Sequence, residues 1–254
     1  MVRIINICSG KGGVGKTTVT ANLGYALQKL GKRTAIIDFN LTTSHLALQF
    51  RFYNYSKTFN DFLRNKINFE ESIYIHTSGL SIVPASLELK DLIDIDTTNL
   101  KEKIKEVFSN YDFVLLDSAP SLGRESLIAL KACDEILFVA NPTIPSLIDI
   151  VKYKQVLNSL HPTPLVLGIL LNRVKGKKYE ITSNEVTQFT GFPVIGEIPE
   201  DENVLESMNK GVLVTIYKEE SPASQAFFEI ASKFAGIEYK KPSFFRKVMN
   251  IFRK

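Results

Sequence analysis

The stretch Gly10-Lys11-Gly12-Gly13-Val14-Gly15-Lys16-Thr17 restricts this chain more than any other. It satisfies the pattern G-x-x-x-x-G-K-[ST] and lies between two segments of different periodicity. Residues 4–8 before it form a short apolar, β-branched run that reads as a strand. After it, Val19, Leu23, Ala26, Leu27 and Leu30 recur at helical spacing, and Gly31 supplies the stop. Strand, glycine-rich loop and helix are the context in which this pattern holds phosphate. The glycines let the backbone curl so that successive N–H groups converge, and the helix N-terminus adds positive potential. Lys16 is then placed to reach the β- and γ-phosphates, Thr17 to offer a hydroxyl to Mg²⁺, and Thr18 to continue the cradle. Lys11 adds a second ammonium to the same loop. The two lysines repel unless a polyphosphate separates them, which directs Lys11 to phosphate as well.

Downstream, apolar runs at 34–37, 80–84, 113–116, 136–140, 165–171 and 194–198 alternate with helical patterns at 98–108, 124–132, 146–160 and 182–189. Several strands read Val/Ile/Leu on both faces. The expected architecture is therefore an α/β fold: a single doubly wound, mostly parallel sheet covered on both faces by helices. Asp38 and Asp117 each close an apolar run at a strand's C-terminal edge, where open α/β sheets bind ligands. Mg²⁺ keeps several waters and takes few protein ligands, so Thr17 is assigned direct contact and the two aspartates mainly water-mediated contact. The least regular region is 41–78, with aromatic residues crowded between 50 and 62. That segment reads either as a partner-facing or mobile surface or as a locally packed helical insertion.

Composition excludes several classes. With 254 residues, 44% hydrophobic and 23% charged, the chain is neither collagen-like, coiled-coil nor wholly disordered. No apolar run approaches the roughly 20 residues of a spanning helix, and the apolar N-terminus is too short for a signal peptide. Cys8 and Cys133 form no C-x-x-C pair, which argues against a disulfide scaffold, a zinc ribbon or a dithiol redox site and fits a reducing cytosol. His45, His76 and His161 show no metal spacing and receive no role.

The stretch from Gly10 to Thr18, with Lys11 in place, resembles the deviant Walker A motif of the ParA/MinD ATPases. The resemblance covers nearly the whole chain. It takes in residues 2–40, Asp117-Ser118-Ala119-Pro120, Asn141-Pro142, Leu171-Asn172-Arg173 and Ile198-Pro199-Glu200-Asp201, in the family's order and spacing. It implies ATP with Mg²⁺ and ATP hydrolysis. It also implies a two-fold ATP sandwich dimer, in which the lysine at the position of Lys11 reaches the partner's nucleotide. By the same resemblance, Asn172 hydrogen-bonds the adenine edge and the Pro199 loop packs near the base. Asn40 is a departure, because family members usually carry a second Asp there to position or activate the attacking water. An amide orients water but accepts no proton at neutral pH, so turnover is expected to be slow or ATP to act mainly as an assembly ligand.

The C-terminus carries the remaining signal. Residues 239–254 hold six Lys/Arg and no acid, whereas residues 1–238 carry 25 basic against 27 acidic side chains. Two units follow, an ATPase domain at 1–238 and a basic tail at 239–254. Pro242 and Ser243 suit a helix start, and at helical spacing Phe244, Phe245, Val248, Met249, Ile251 and Phe252 fill an arc of roughly 160°. Arg246, Lys247, Asn250, Arg253 and Lys254 take the other side. That is the pattern of a helix lying in an anionic membrane surface. One such tail binds weakly, and two on a homodimer gain avidity of about 10² to 10⁴. The tail is similar to the short amphipathic helix that ends the MinD branch, which implies a cytoplasmic protein peripheral on the inner membrane face, acting in septum placement with an unidentified protein partner. The alternatives are control of flagellar or other polar placement, or a hardly hydrolysing ATP-gated scaffold. DNA binding needs Lys/Arg spread over a folded surface, so no specific nucleic acid partner is expected.

Overall fold

Three central strands carry the fold's logic, because each is apolar on both faces. In the computed structural model, which describes residues 1–88 and 94–239, β1 (Arg3–Cys8), β5 (Phe113–Ser118) and β6 (Glu135–Ala140) lie side by side and parallel. Successive side chains point to opposite faces. Ile4, Val114, Leu116, Ile136 and Phe138 enter one core layer, and Ile5, Ile7, Leu115, Leu137 and Val139 enter the other. The first layer is covered by α3 (Leu100–Val107), α4 (Arg124–Ala132), α5 (Ile144–Leu157) and α6 (Ser183–Thr190). The second is covered by α1 (Lys16–Lys29), α8 (Val214–Tyr217) and α9 (Pro222–Ala235).

The sheet has eight strands in the order β3-β4-β2-β5-β1-β6-β7-β8. Outside the central three lie β2 (Thr34–Phe39), β3 (Tyr74–Ile75), β4 (Ser81–Val83), β7 (Leu165–Val174) and β8 (Val194–Pro199). Every pairing is parallel except β3 with β4. This is the doubly wound α/β sheet read from the sequence. The chain leaves β1 toward β2 and later leaves β5 toward β6, so the winding reverses beside β1, and a ligand crevice opens at the carboxyl ends there.

Element ends shift by a few residues for local reasons. Helix α3 starts at Leu100 instead of residue 98 because Asn99 takes a left-handed φ of 50°. Helix α5 starts two residues earlier than expected, with Thr143 as its cap and proline in its first turn, where a missing N–H costs nothing. Strand β7 runs on to Val174, which puts Asn172 inside the strand. The short antiparallel edge β3, α7 (Glu202–Asn209), α8 and α9 are additions to the sequence reading, whereas α2 (Phe59–Leu63) falls in the segment for which a helical insertion is one alternative.

The aromatic segment resolves to the packed alternative. Thr58 and Asp61 close a capping box on α2, and Phe59 stacks among Phe39, Phe62 and Phe69 with centroids 4.9–6.0 Å apart. Among its aromatic rings, Tyr53 alone is exposed. Cys8 and Cys133 are buried free thiols, and burial pushes the Cys8 thiol up to about 12, as for inert core residues. No helix among the described residues is long and apolar enough to cross a membrane. The tail residues Phe244 to Phe252 lie outside the described residues.

Candidate functional site

The loop after β1 turns because its glycines take conformations closed to other residues. Gly13 has φ 79° and Gly15 φ 91°. At Gly10 a Cβ would lie 2.1 Å from Asp149 Cβ on α5, so the loop's first glycine is required by packing. At Gly15 a Cβ would lie 2.3 Å from Asn172 Nδ2. Gly15 also starts α1, with no side-chain cap and no acidic residue in the first turn. The orphan N–H groups and the positive helix end are left to face whatever enters the loop, a donor set suited to phosphate oxygens.

The two lysines of the loop are placed differently. Lys16 is buried, and its Nζ donates to Asp117 Oδ1 at 2.7 Å, which also accepts from Thr20 Oγ1 at 3.2 Å. Lys11 is exposed and forms no ion pair among the described residues. Lys11, Gly12, Thr17, Thr18, Asn40 and Pro120 line a cavity of about 530 Å³ over the loop. A second cavity of about 530 Å³ adjoins it through Gly15, Thr18, Arg173 and Met208, and is lined by Asn172, Ile198 and Pro199. The sequence-derived phosphate-side and base-side residues therefore fall in two joined chambers. Asn172 reaches the loop itself, its amide donating to Val14 O at 2.7 Å.

The two aspartates stand opposite each other. Asp38 on β2 and Asp117 on β5 are register partners, both fully buried at the strands' carboxyl ends. Asp38 accepts from Ser44 Oγ at 2.7 Å, Asn40 N at 2.9 Å and Leu46 N at 3.3 Å. Burial, and then the neighbouring Asp117 charge, push the Asp38 carboxyl up to about 7. Two facing buried acids are the oxygen donors a hard cation takes, and Thr17 lines the cavity over the loop.

Asn40 is tied into its own loop. Its Nδ2 donates to Thr43 O at 2.6 Å, and its Oδ1 accepts from Thr43 Oγ1 at 3.0 Å. Thr42 beside it hydrogen-bonds Glu125 at the start of α4.

Several wall residues carried no role in the sequence reading: His45, Leu48 and Gln49 from the segment after β2, Arg173 from β7, and Met208 from α7. Met208 was hidden because α7 itself was not read. The cue was Asp201, whose side chain caps the helix by accepting from Asn203 N. A wider cavity, about 1140 Å³, lies elsewhere, between α3, α4 and the 159–162 turn. It contains none of the motif residues, and its Lys101 and Lys105 are tied to Asp134.

Residues 2–144 match the AAA domain family. The chain is 35% identical to the ATP-binding protein MJ0169 of Methanocaldococcus jannaschii over 259 residues, covering 98% of each. It superposes on the septum site-determining protein MinD of Pyrococcus horikoshii, solved with Mg-ADP, with a TM-score of 0.85. That match is 34% identical and covers 92% of this chain and 96% of the other. The chain belongs to the ParA/MinD family of P-loop ATPases. A further family structure, the MinC:MinD cell division complex of Aquifex aeolicus, matches at 28% identity with a TM-score of 0.81, covering 95% of this chain and 99% of the other. Membership brings nucleotide hydrolysis as the general activity.

Proposed function

We propose that the chain is a MinD-type ATPase switch that binds ATP with Mg²⁺, dimerises on it, holds the inner membrane face and positions a division or polar partner. The observation that carries this reading is the contrast between the two loop lysines. Lys16 points inward and is neutralised by Asp117, whereas Lys11 stands exposed at the cavity rim with no ion pair among the described residues. An ammonium so placed is free to meet phosphate on a second copy, and the same-loop repulsion then becomes attraction to a shared polyanion.

The cavity linings support roles for Lys11 to Thr18, Asn40, Asn172 and Pro199. The N–H groups of Gly10, Gly12, Gly13, Val14 and Gly15 cradle phosphate, with Thr18 at the helix start. Lys16 exchanges Asp117 for phosphate oxygens. Thr17, Asp38 and Asp117 would hold Mg²⁺, and a divalent ion bound there would supply charge neutralisation for phosphoryl transfer. Asn172 and Pro199 border the base. Lys11, Lys16 and Asn40 carry what catalysis there is, and Asn40 makes it slow, since an amide already engaged with Thr43 has no proton-accepting group to offer. The same engagement favours a second reading, in which ATP serves mainly to assemble the dimer and is scarcely turned over.

Residues 239–254 form the membrane-binding unit on a 1–238 ATPase domain. Each Lys/Arg near an anionic surface contributes about 1 kcal/mol, and the apolar face adds burial. The MinC:MinD cell division complex of Aquifex aeolicus supports a protein partner for this chain as well. Light scattering with ATP-Mg²⁺ and with ADP-Mg²⁺ tests the assembly step. Doubling of the 28.5 kDa mass with ATP alone, lost in Lys11→Ala, supports it; a monomer in both nucleotides overturns it.

A further inference from the structure

Besides the glycine loop, Pro120 and Arg173, two pieces of chain far apart in sequence wall the phosphate-side cavity. One is the segment that leaves β2 and contributes His45, Leu48 and Gln49; the other is α7, which contributes Met208. Helix α7 and the α8 turn after it are fixed to the body. Asn22 on α1 accepts from Thr215 N and Oγ1 at 3.2 and 2.8 Å while donating to Thr18 O at 2.9 Å. Lys210, Glu206 and Tyr217 close a further triangle across the α7–α8 corner at 2.6–2.9 Å. The segment after β2 is rooted by Leu46 and Ala47, which are buried, and then rises out of the core.

One hydrogen bond links the two walls, alongside apolar packing of Phe50 against the cluster that holds Leu213 and Val214. Arg51 follows the short 3-10 helix Ala47–Phe50 and takes a left-handed φ of 54°. From there its Nε donates to the carbonyl of Lys210, at the C-terminal end of α7. A guanidinium suits that end, where unpaired carbonyls and the negative pole of the helix converge. Among the described residues this is the one hydrogen bond between segment 40–53 and segment 202–217. Gly211 lies directly beneath, at φ 61°; a Cβ there would come within 2.6 Å of Arg51 Cγ and 3.3 Å of Tyr53 Oη. The close approach is thus made possible by glycine at the corner.

We infer that Arg51 is a latch that closes the strap 45–51 against α7 over the nucleotide cavity and gates exchange of a purine nucleotide. The inference rests on the nucleotide reading of that cavity and adds a control on its kinetics. Arg51 lines neither chamber over the loop, so it contributes no direct contact to a bound nucleotide. It acts by setting how often the walls part. A latch that closes equally over empty and filled cavities slows entry and release together and leaves affinity almost unchanged. A residue that merely contacts the ligand changes release and affinity and leaves entry alone.

Stopped-flow fluorescence of the full chain with mant-ADP and Mg²⁺ separates these. Arg51→Ala should raise the association and dissociation rates in parallel, each about five-fold, the worth of one exposed charge-assisted hydrogen bond, with Kd held within about two-fold. Arg51→Lys, which keeps a donor near the carbonyl, should restore part of the delay. If Arg51→Ala unfolds the chain, Gly211→Ala gives the same readout, because the new Cβ displaces Arg51 and parts the walls. Unchanged rates, or faster release with unaltered entry, overturn the latch while leaving nucleotide binding standing. A wild-type chain that does not bind mant-ADP overturns both.

Discussion

Replacing Lys16 by methionine removes the ammonium but keeps most of the side chain's volume, leaving Asp117 buried without its ion pair. Removing one partner of a buried pair costs about 3 to 5 kcal/mol, because the remaining charge keeps its desolvation penalty. Two features of this site pull in opposite directions. Thr20 Oγ1 still donates to Asp117 Oδ1 at 3.2 Å, which softens the loss, whereas Asp38 is its register partner and keeps a second acid beside it. The expected loss for Lys16→Met is therefore about 3 kcal/mol, the lower end of that range. In Lys16→Met/Asp117→Asn both charges are gone, the Thr20 hydroxyl keeps an acceptor, and the combined loss falls to about 1 kcal/mol. Urea unfolding followed by far-ultraviolet circular dichroism, at pH 7.5 with chelator and without nucleotide, reads all four corners of this cycle. A Lys16→Met loss below about 1 kcal/mol, or an equal loss in the Asp117→Asn background, would refute the view that Lys16 rests on Asp117.

Three further outcomes follow. Gly15→Ala places a Cβ against Asn172 Nδ2 at a φ of 91° and should cost about 2 to 4 kcal/mol together with mant-ATP binding; Asn172→Gly should return only the steric part, measured by unfolding and fluorescence titration. The Asp38 carboxyl titrates near 7 in the folded chain against 3.8 ordinarily, so the folded state holds the extra proton between those values. Stability in chelator should therefore decline as pH rises from about 4 to about 7 and then level off, and Asp38→Asn should flatten that slope; a wild-type slope that persists in the variant refutes the assignment. Asn40→Asp replaces the amide that donates to Thr43 O with a second acceptor, so it should lower stability by about 1 kcal/mol while raising steady-state phosphate release; unchanged turnover at saturating ATP removes the role given to Asn40.

The sequence disclosed those parts of the molecule whose physics is local. The glycine loop was legible because φ above zero and a close approach to α5 both exclude side chains. Asp38 and Asp117 were legible because a charge ending an apolar run marks a strand's exit from the core, and their pairing across β2 and β5 then followed from parallel register. What escaped depends on contacts between distant segments. Helix α9 bears its own signals, Ser221 capping, Pro222 in the first turn and Gly236 at the end, yet its place over α1 and β8 is a tertiary fact. The two-residue strand β3 exists only because β4 offers it a partner. The Thr43 bonds of Asn40 and the Arg51 contact with Lys210 are likewise invisible in a linear reading, since neither residue type demands a particular acceptor.

In the proposed switch, nucleotide state decides membrane residence by pairing two basic, aromatic tails. Sedimentation of the full chain with vesicles rich in phosphatidylglycerol, in ATP-Mg²⁺, in ADP-Mg²⁺ and after deletion of residues 242–254, tests it most directly. Pelleting is expected with ATP, little with ADP and none after truncation. Equal pelleting in the two nucleotides, or pelleting that survives the deletion, would contradict the switch.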